Sequence, residues 1–348
     1  MKQHLKWVLA VLVLFALGGA VALLGAWRFL ETPMDPSSNS TAIFTIETGE
    51  SLRSVASRLD RDGFVRWGEG FRLYGRLRKI PLQAGEFALS KAMSPREIMQ
   101  ELAYGQPILY RLHFAEGLTM REVALAVNAT GLTSAERFLA ACRDREYLRR
   151  QGINATDAEG YLFPETYFFP RIPGQDPYPI LHALLERFRQ NTAGLPQNRS
   201  PDDLHRTLIL ASLVEKETAI PAERSLVAGV YANRLQHGML LQCDPTIIYG
   251  LGENFDGNLK KSHLQDGSNP YNTYVHPGLP PGPICSPGKE ALEAASQPDE
   301  HEYLYFVARP DGSHHFSRTL REHTNAVIKY QRRGRAFPTP DSSDETPP

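Results

Sequence analysis

Between Trp7 and Ala26 the chain carries no charged residue (WVLAVLVLFALGGAVALLGA), and Trp27 closes the run. At roughly 1.5 Å of helical rise per residue, about 20 such residues span about 30 Å, the thickness of a bilayer's hydrocarbon core. A helix of a soluble domain rarely stays apolar on every face for so long. Lys2 and Lys6 precede the run, whereas Arg28 behind it is followed by Glu31 and Asp35. The basic leader predicts residues 1–6 in the cytoplasm, a single-pass transmembrane anchor over 7–30, and the rest of the chain on the far side of the plasma (inner) membrane, extracytoplasmic or periplasmic. A cleaved signal peptide ending at Ala20-Val21-Ala22 is the second reading of the same residues. The apolar continuation Leu23–Trp27 argues against it. No cysteine lies near the run, so a lipoprotein anchor is not expected.

The remaining length suits about two domains. Residues 31–42 (ETPMDPSSNSTA) read as a linker and 334–348, Pro-rich and acidic, as a disordered tail. Between them we expect a small domain over 43–107 and a larger one over 108–333. With 38 Lys+Arg against 39 Asp+Glu, the chain lacks the basic excess of a nucleic-acid-binding protein. Its three cysteines, Cys142, Cys243 and Cys285, are too scattered for a disulfide framework or a structural zinc site. Buried thiols are the expectation, with a Cys243–Cys285 pair left open.

Helix signals are plain. Leu52, Val55, Ala56 and Leu59 follow the spacing of one buried helix face behind Ser51. Ser94-Pro95-Arg96-Glu97 is a capping box with Pro at the first helical position, and Thr119–Glu122 and Thr133–Glu136 have the same form. Ser200-Pro201-Asp202-Asp203 opens another helix, and Gly238 suits the end of the one after it. Tyr303–Ala308, a turn at Pro310-Asp311-Gly312 and His314–Ser317 predict a β-hairpin, followed by a closing helix over Thr319–Arg333. Strands and helices mix without regular alternation, so the class is α+β.

Two regions carry chemistry. On a helix from Pro201, Glu215 shares the stripe of Leu204, Leu208, Ala211 and Ser212. A carboxyl on an apolar stripe loses hydration in its charged form, the condition for a general acid near neutral pH. The plainer alternative is a glutamate that solvates a helix end. Glu217 faces elsewhere, so both can serve one cleft only if the helix ends between them. Downstream, Leu241-Gln-Cys-Asp-Pro-Thr246 with Tyr249-Gly250 predicts a polar loop. Asn269-Pro-Tyr-Asn-Thr-Tyr274, with the Pro/Gly run Gly278–Pro283, predicts a rigid loop whose aromatic faces and amides suit a sugar. Gln242, Asp244, Tyr271, Asn272 and Tyr274 are the substrate-binding candidates, although Asp244 before Pro245 also fits a turn. No H-E-x-x-H occurs, and His314 and His315 point opposite ways on a strand, so neither a metal nor any other cofactor is expected.

Several blocks together resemble the YceG-like family of endolytic murein transglycosylases. They are Glu159-Gly-Tyr-Leu-Phe-Pro-Glu-Thr-Tyr167, Leu210–Thr218 (LASLVEKET), Glu223-Arg224, Asn233-Arg234-Leu235, Gly238-Met239, Leu241-Gln242, Asp244–Gly250 (DPTIIYG), Tyr271–Tyr274 and Gly278–Pro283. Cys243 and Cys285 depart from what the resemblance leads one to expect. Phe44–Ala56 looks like the opening of a LysM module, a small α+β fold that binds N-acetylglucosamine glycans, and a LysM-like spacer without sugar affinity fits equally. The resemblance implies a lyase acting on peptidoglycan at the membrane, with a single catalytic glutamate. Matched to the motif, that is Glu215, with Glu217 and Glu165 near the substrate or bracing the cleft. It implies scission of nascent glycan strands between N-acetylmuramic acid and N-acetylglucosamine, leaving 1,6-anhydro ends and stopping elongation. Glycan strands and the membrane are then the partners, with peptidoglycan synthases as candidates. The rival is a membrane-tethered peptidoglycan-binding scaffold without catalysis.

Overall fold

The computed structural model describes residues 2–174, 176–196 and 200–332, and the tail predicted over 334–348 lies outside them. α1 (Lys2–Glu31) is one continuous helix. Its stretch Ala10–Glu31, with mean hydropathy 2.3, is long and apolar enough to cross a membrane, and its most apolar window is not buried in the protein. Two compact units divide the described residues. One takes in the chain up to Leu112 with Ala129–Thr133 and Tyr167–Asp176; the other takes in His113–Asn128, Ser134–Thr166 and the chain from Pro177 onward. The strands pair two by two among a majority of helices, so the class is α+β.

In the first unit β1 (Thr41–Ile46) and β2 (Gly85–Ser90) pair antiparallel, with Phe44 opposite Phe87. Between them in sequence come α2 (Leu52–Arg61) and α3 (Gly68–Leu77), and after them α4 (Pro95–Tyr104). Strand alternation turns Phe44 and Ile46 to one face. There they join the expected stripe Val55, Ala56 and Leu59, and Ile98, Met99 and Leu102 of α4, in one core. Ser51 caps α2 by accepting from Ser54 N, and Ser94 and Glu97 complete their capping box. The end of α1 is built into this core: Phe29 packs edge-on against Trp67 at 5.7 Å, and Glu31 pairs with Arg96 at 2.8 Å. β3 (Leu109–His113) pairs with β4 (Thr166–Pro170).

The second unit begins with α5 (Met120–Ala129), α6 (Ala135–Cys142), α7 (Arg145–Arg150) and α8 (Tyr178–Thr192). Next come α9 (Pro201–Glu217), α10 (Pro221–Gln236), α11 (Asp244–Leu251), α12 (Lys261–Leu264) and α13 (Lys289–Ser296). The hairpin of β5 (Tyr305–Ala308) and β6 (His314–Ser317) and then α14 (Leu320–Val327) close it. α9 is its spine: Leu208–Val214 are all buried, and α10 and α13 pack along it.

Two sequence expectations change, at Thr133 and over 241–250, and one alternative left open, the Cys243–Cys285 pair, is closed. The box expected at Thr133 does not form; Thr133 is drawn into the interior, and Ser134 caps α6 by accepting from Arg137 N. The polar loop expected over 241–250 is helical from Asp244, because Pro245 falls in a first turn where no backbone N–H is needed. Cys142, Cys243 and Cys285 are all buried free thiols, so no Cys243–Cys285 bridge exists.

Candidate active site

α9 does not end between its two glutamates. It runs through Glu217 and stops at Thr218, whose backbone is extended. Residues two apart on a helix point about 200° from each other, so Glu215 and Glu217 enter different surroundings.

Glu217 lines a cavity of about 440 Å³ together with Gln242, Asp244, Tyr274, Phe306 and His314. That volume lies in the usual range for small-molecule sites. Tyr231, on α10, donates its hydroxyl to Glu217 Oε1 at 2.7 Å. Burial pushes the Glu217 carboxyl above the ordinary carboxylate range; hydrogen bonds from Tyr231 and Cys243 oppose that, and the Asp244 charge adds to it. Burial therefore stabilises the proton-bearing form relative to that of a free carboxyl, in a side chain that lines the cavity.

The part of the lining that carries Gln242, Asp244 and Tyr274 is fixed by two interlocked turns. Gln242 N donates to Thr273 O (3.1 Å) and Cys243 N to Thr273 Oγ1 (2.9 Å). Thr246 Oγ1 donates to Cys243 O (2.7 Å) and lies 3.0 Å from Thr273 Oγ1. This lattice sets Tyr274 so that its hydroxyl donates to Asp244 Oδ1 at 2.6 Å. Gln242 pays for its place with a left-handed φ of 49°, a conformation uncommon away from glycine. Arg234 is pinned below by donating to Leu304 O (2.7 Å) and Leu241 O (2.7 Å).

The other sequence candidates lie elsewhere. Glu215 accepts from Gly288 N at 2.9 Å, the cap position of α13, and stands 3.9 Å from Arg224, which also pairs with Glu290. The N-terminus of α13 and a nearby guanidinium thus hold the Glu215 carboxyl in place. A Cβ at Gly288 would come within 2.5 Å of Glu116 Cγ, so a side chain there would push the exposed Glu116 side chain aside. Asn272 is wholly buried, donating to His263 O, Leu264 O and Asp266 O and accepting from Tyr274 N. Its amide holds the loop and has nothing left for a sugar. Tyr271 packs edge-on against Tyr249, ring centroids 4.7 Å apart. Glu165 pairs with Arg187 at 2.6 Å.

Two features lie in blocks that the sequence marked as family-like, or in the hairpin it predicted, without being singled out as site residues. Glu159 is buried, accepting from Met120 N (2.9 Å) and from the Tyr249 hydroxyl (3.0 Å). Burial pushes its carboxyl up to about 7. It borders a second cavity, of about 580 Å³, with Lys216, Ile248 and Tyr249. Secondly, Glu223 takes both His314 N (2.8 Å) and His314 Nδ1 (2.7 Å). Among the described residues, no group of three or more His, Cys, Asp or Glu side chains is arranged to hold a metal ion.

Taken with these two helical walls and the hairpin, comparison with known proteins defines the class: the chain belongs to the YceG-like family, matched over residues 44–329. It is similar to the endolytic murein transglycosylase of Bacillus subtilis (strain 168), 31% identical over 325 residues that cover 87% of this chain and 88% of that protein. It is also similar to the endolytic murein transglycosylase of Streptococcus pneumoniae serotype 2 (strain D39), 29% identical with 94% of this chain covered but 66% of that protein. A crystal structure of a yceG-like protein from Listeria monocytogenes has the same fold, with a TM-score of 0.55 at 29% identity over 82% of this chain and 99% of the other.

Proposed function

We propose that this protein is a membrane-anchored endolytic murein transglycosylase whose proton donor is Glu217. One observation supports the residue choice above others: the Glu217 carboxyl, held toward its neutral form by burial, borders the 440 Å³ cavity that Gln242, Asp244 and Tyr274 also line. The names of the relatives support the reaction class.

Glycoside hydrolases ordinarily use two carboxylates, one of which activates water or attacks the sugar. A lytic transglycosylase replaces water with the substrate's own C6 hydroxyl. Glu217 protonates the oxygen bridging N-acetylmuramic acid to N-acetylglucosamine, and that C1–O bond breaks. The muramyl C6 oxygen closes onto C1, giving the 1,6-anhydro end, and in the simplest scheme the Glu217 carboxylate takes the hydroxyl's proton. The Tyr274–Asp244 pair and the Gln242 amide supply an aromatic face and hydrogen bonds to hold the sugar. Glu215, the family-motif candidate, then braces α13, and Asn272 and Glu165 support the fold.

α1 serves as the anchor, with the Lys2 and Lys6 leader in the cytoplasm, and keeps the enzyme where new glycan emerges. Chain termination beside peptidoglycan synthases follows from that placement. The β1-to-β2 unit is read as a LysM-like glycan contact or spacer.

The test is digestion of purified, undigested peptidoglycan strands with the full chain in detergent, scoring anhydro-muramyl ends by mass spectrometry. Wild type should form internal cuts with such ends, and Glu217→Gln should form essentially none. If Glu215→Gln abolishes them and Glu217→Gln does not, the acid is Glu215. If wild type binds strands and makes no ends, the protein is a scaffold.

A further inference from the structure

The single-glutamate scheme asks one carboxyl to reach two different oxygens in succession. A second proton-handling group stands in the same cavity. His314, at the start of β6, shares the cavity wall with Glu217. Glu223, from the first turn of α10, grips it twice, through the backbone N–H and through Nδ1, and accepts a third bond from Thr218 Oγ1 at 3.3 Å. Phe306 packs edge-on against the imidazole at 5.4 Å, closing one side of the ring. With Nδ1–H given to a carboxylate, the neutral imidazole keeps its lone pair on Nε2. Among the described residues no protein group hydrogen-bonds that nitrogen. A carboxylate that fixes the tautomer and steadies the imidazolium formed on protonation is the arrangement by which histidine serves as a general base elsewhere.

We propose that His314 is the base for the ring-closing step and Glu223 its positioning residue. The proposal rests on the transglycosylase reading above. The C6 O–H bond breaks and its proton passes to His314 Nε2. The C6 oxygen bonds to C1 as the C1–O bridge breaks, and the leaving oxygen takes the Glu217 proton. The enzyme ends with an imidazolium and a carboxylate. His314 then returns its proton, and Glu217 regains one, by exchange with solvent in the open cavity. No water is consumed and no co-reactant is needed.

The experiment measures anhydro-end formation and, separately, strand binding to the full chain in detergent. His314→Ala should lower kcat by about 10²–10⁴-fold while strands still bind, and added imidazole should restore part of the rate. Glu223→Gln should lower kcat at least about tenfold with KM little changed, and the double variant should be no worse than His314→Ala alone. His314→Gln, nearly isosteric but without a base, guards against misfolding: its kcat should fall as far as that of His314→Ala. Wild-type-like kcat in His314→Gln, or loss of strand binding without imidazole rescue in His314→Ala, overturns the proposal. If Glu217→Gln is silent and wild type makes no anhydro ends, the underlying reading fails instead.

Discussion

Glu215 and Glu217 sit on the last turn of one helix, two residues apart, with the same side chain and the same covalent neighbour in Lys216. One is tied to the Gly288 N–H and stands near Arg224; the other accepts a tyrosine hydroxyl and borders a cavity. Glu215 is held by the backbone N–H that opens α13, with a guanidinium nearby. The neutral form of Glu217 is what burial favours. A helix phase thus separates two surroundings, and what packs on each face sets them apart. Carboxylate chemistry follows the partner, as Tyr231, Asp244 and Gly288 illustrate, more than it follows the motif.

The largest effect that would break this contrast is on catalysis. Glu217→Gln should cost about 10²–10⁴-fold in kcat, and Glu215→Gln should stay within about tenfold of wild type; anhydro-end counting after strand digestion checks both. Glu215→Gln should instead lower stability by about 1.5–3 kcal/mol, the worth of a hydrogen bond to a charged group, read as a lower melting temperature in detergent.

A third buried carboxyl sharpens the comparison. Glu159 is held at about 7 against an ordinary carboxylate value of 4.5. Its folded-state value is raised, so its favourable contribution is complete below about pH 4.5 and is lost as pH rises through about 7, a change on the order of 3 kcal/mol. Glu159→Gln should flatten that part of the stability profile. Thermal melts of wild type and variant from pH 4 to 8 that run parallel would refute it.

The smallest expected effect is at Tyr231. Its hydroxyl favours the charged form of Glu217, so Tyr231→Phe should raise the Glu217 value further. The alkaline limb of kcat should move to higher pH with a few-fold change in maximal rate. A limb that stays in place, measured by initial rates across the profile, would separate Tyr231 from the acid.

Much of the fold can be read in the chain before any coordinates. The caps at Ser51, Ser94 and Ser200, the stripe of α2 and the closing hairpin follow from local hydrogen bonding and periodicity, which act over a few residues. The grouping of Gln242, Asp244 and Tyr274 was also legible, because both segments that carry them read as polar and the fold brings them to one cavity. What was not legible depends on distant partners. Nothing near Glu215 announces Gly288, 73 positions away, and the Glu223–His314 pair spans 91. Asn272 looks in sequence like an amide free for sugar hydroxyls. Only the fold reveals that its donors and acceptor are consumed by the loop around it.

The end of α1 has a mechanical consequence. A free linker of about 12 residues would let a tethered domain wander with a root-mean-square reach of about 20 Å. Here Phe29 is lodged against Trp67, Glu31 is clasped by Arg96, and Asp35 N bonds to Lys91 O at 2.9 Å. The end of α1 is therefore packed into the first unit, of which the helix is part, closer to a stalk than to a leash. With α1 in a bilayer, any tilt or rotation of that helix becomes a lever arm that swings the first unit by a proportionate distance. Bilayer thickness, which sets helix tilt, would then set how far above the lipid headgroups that unit stands.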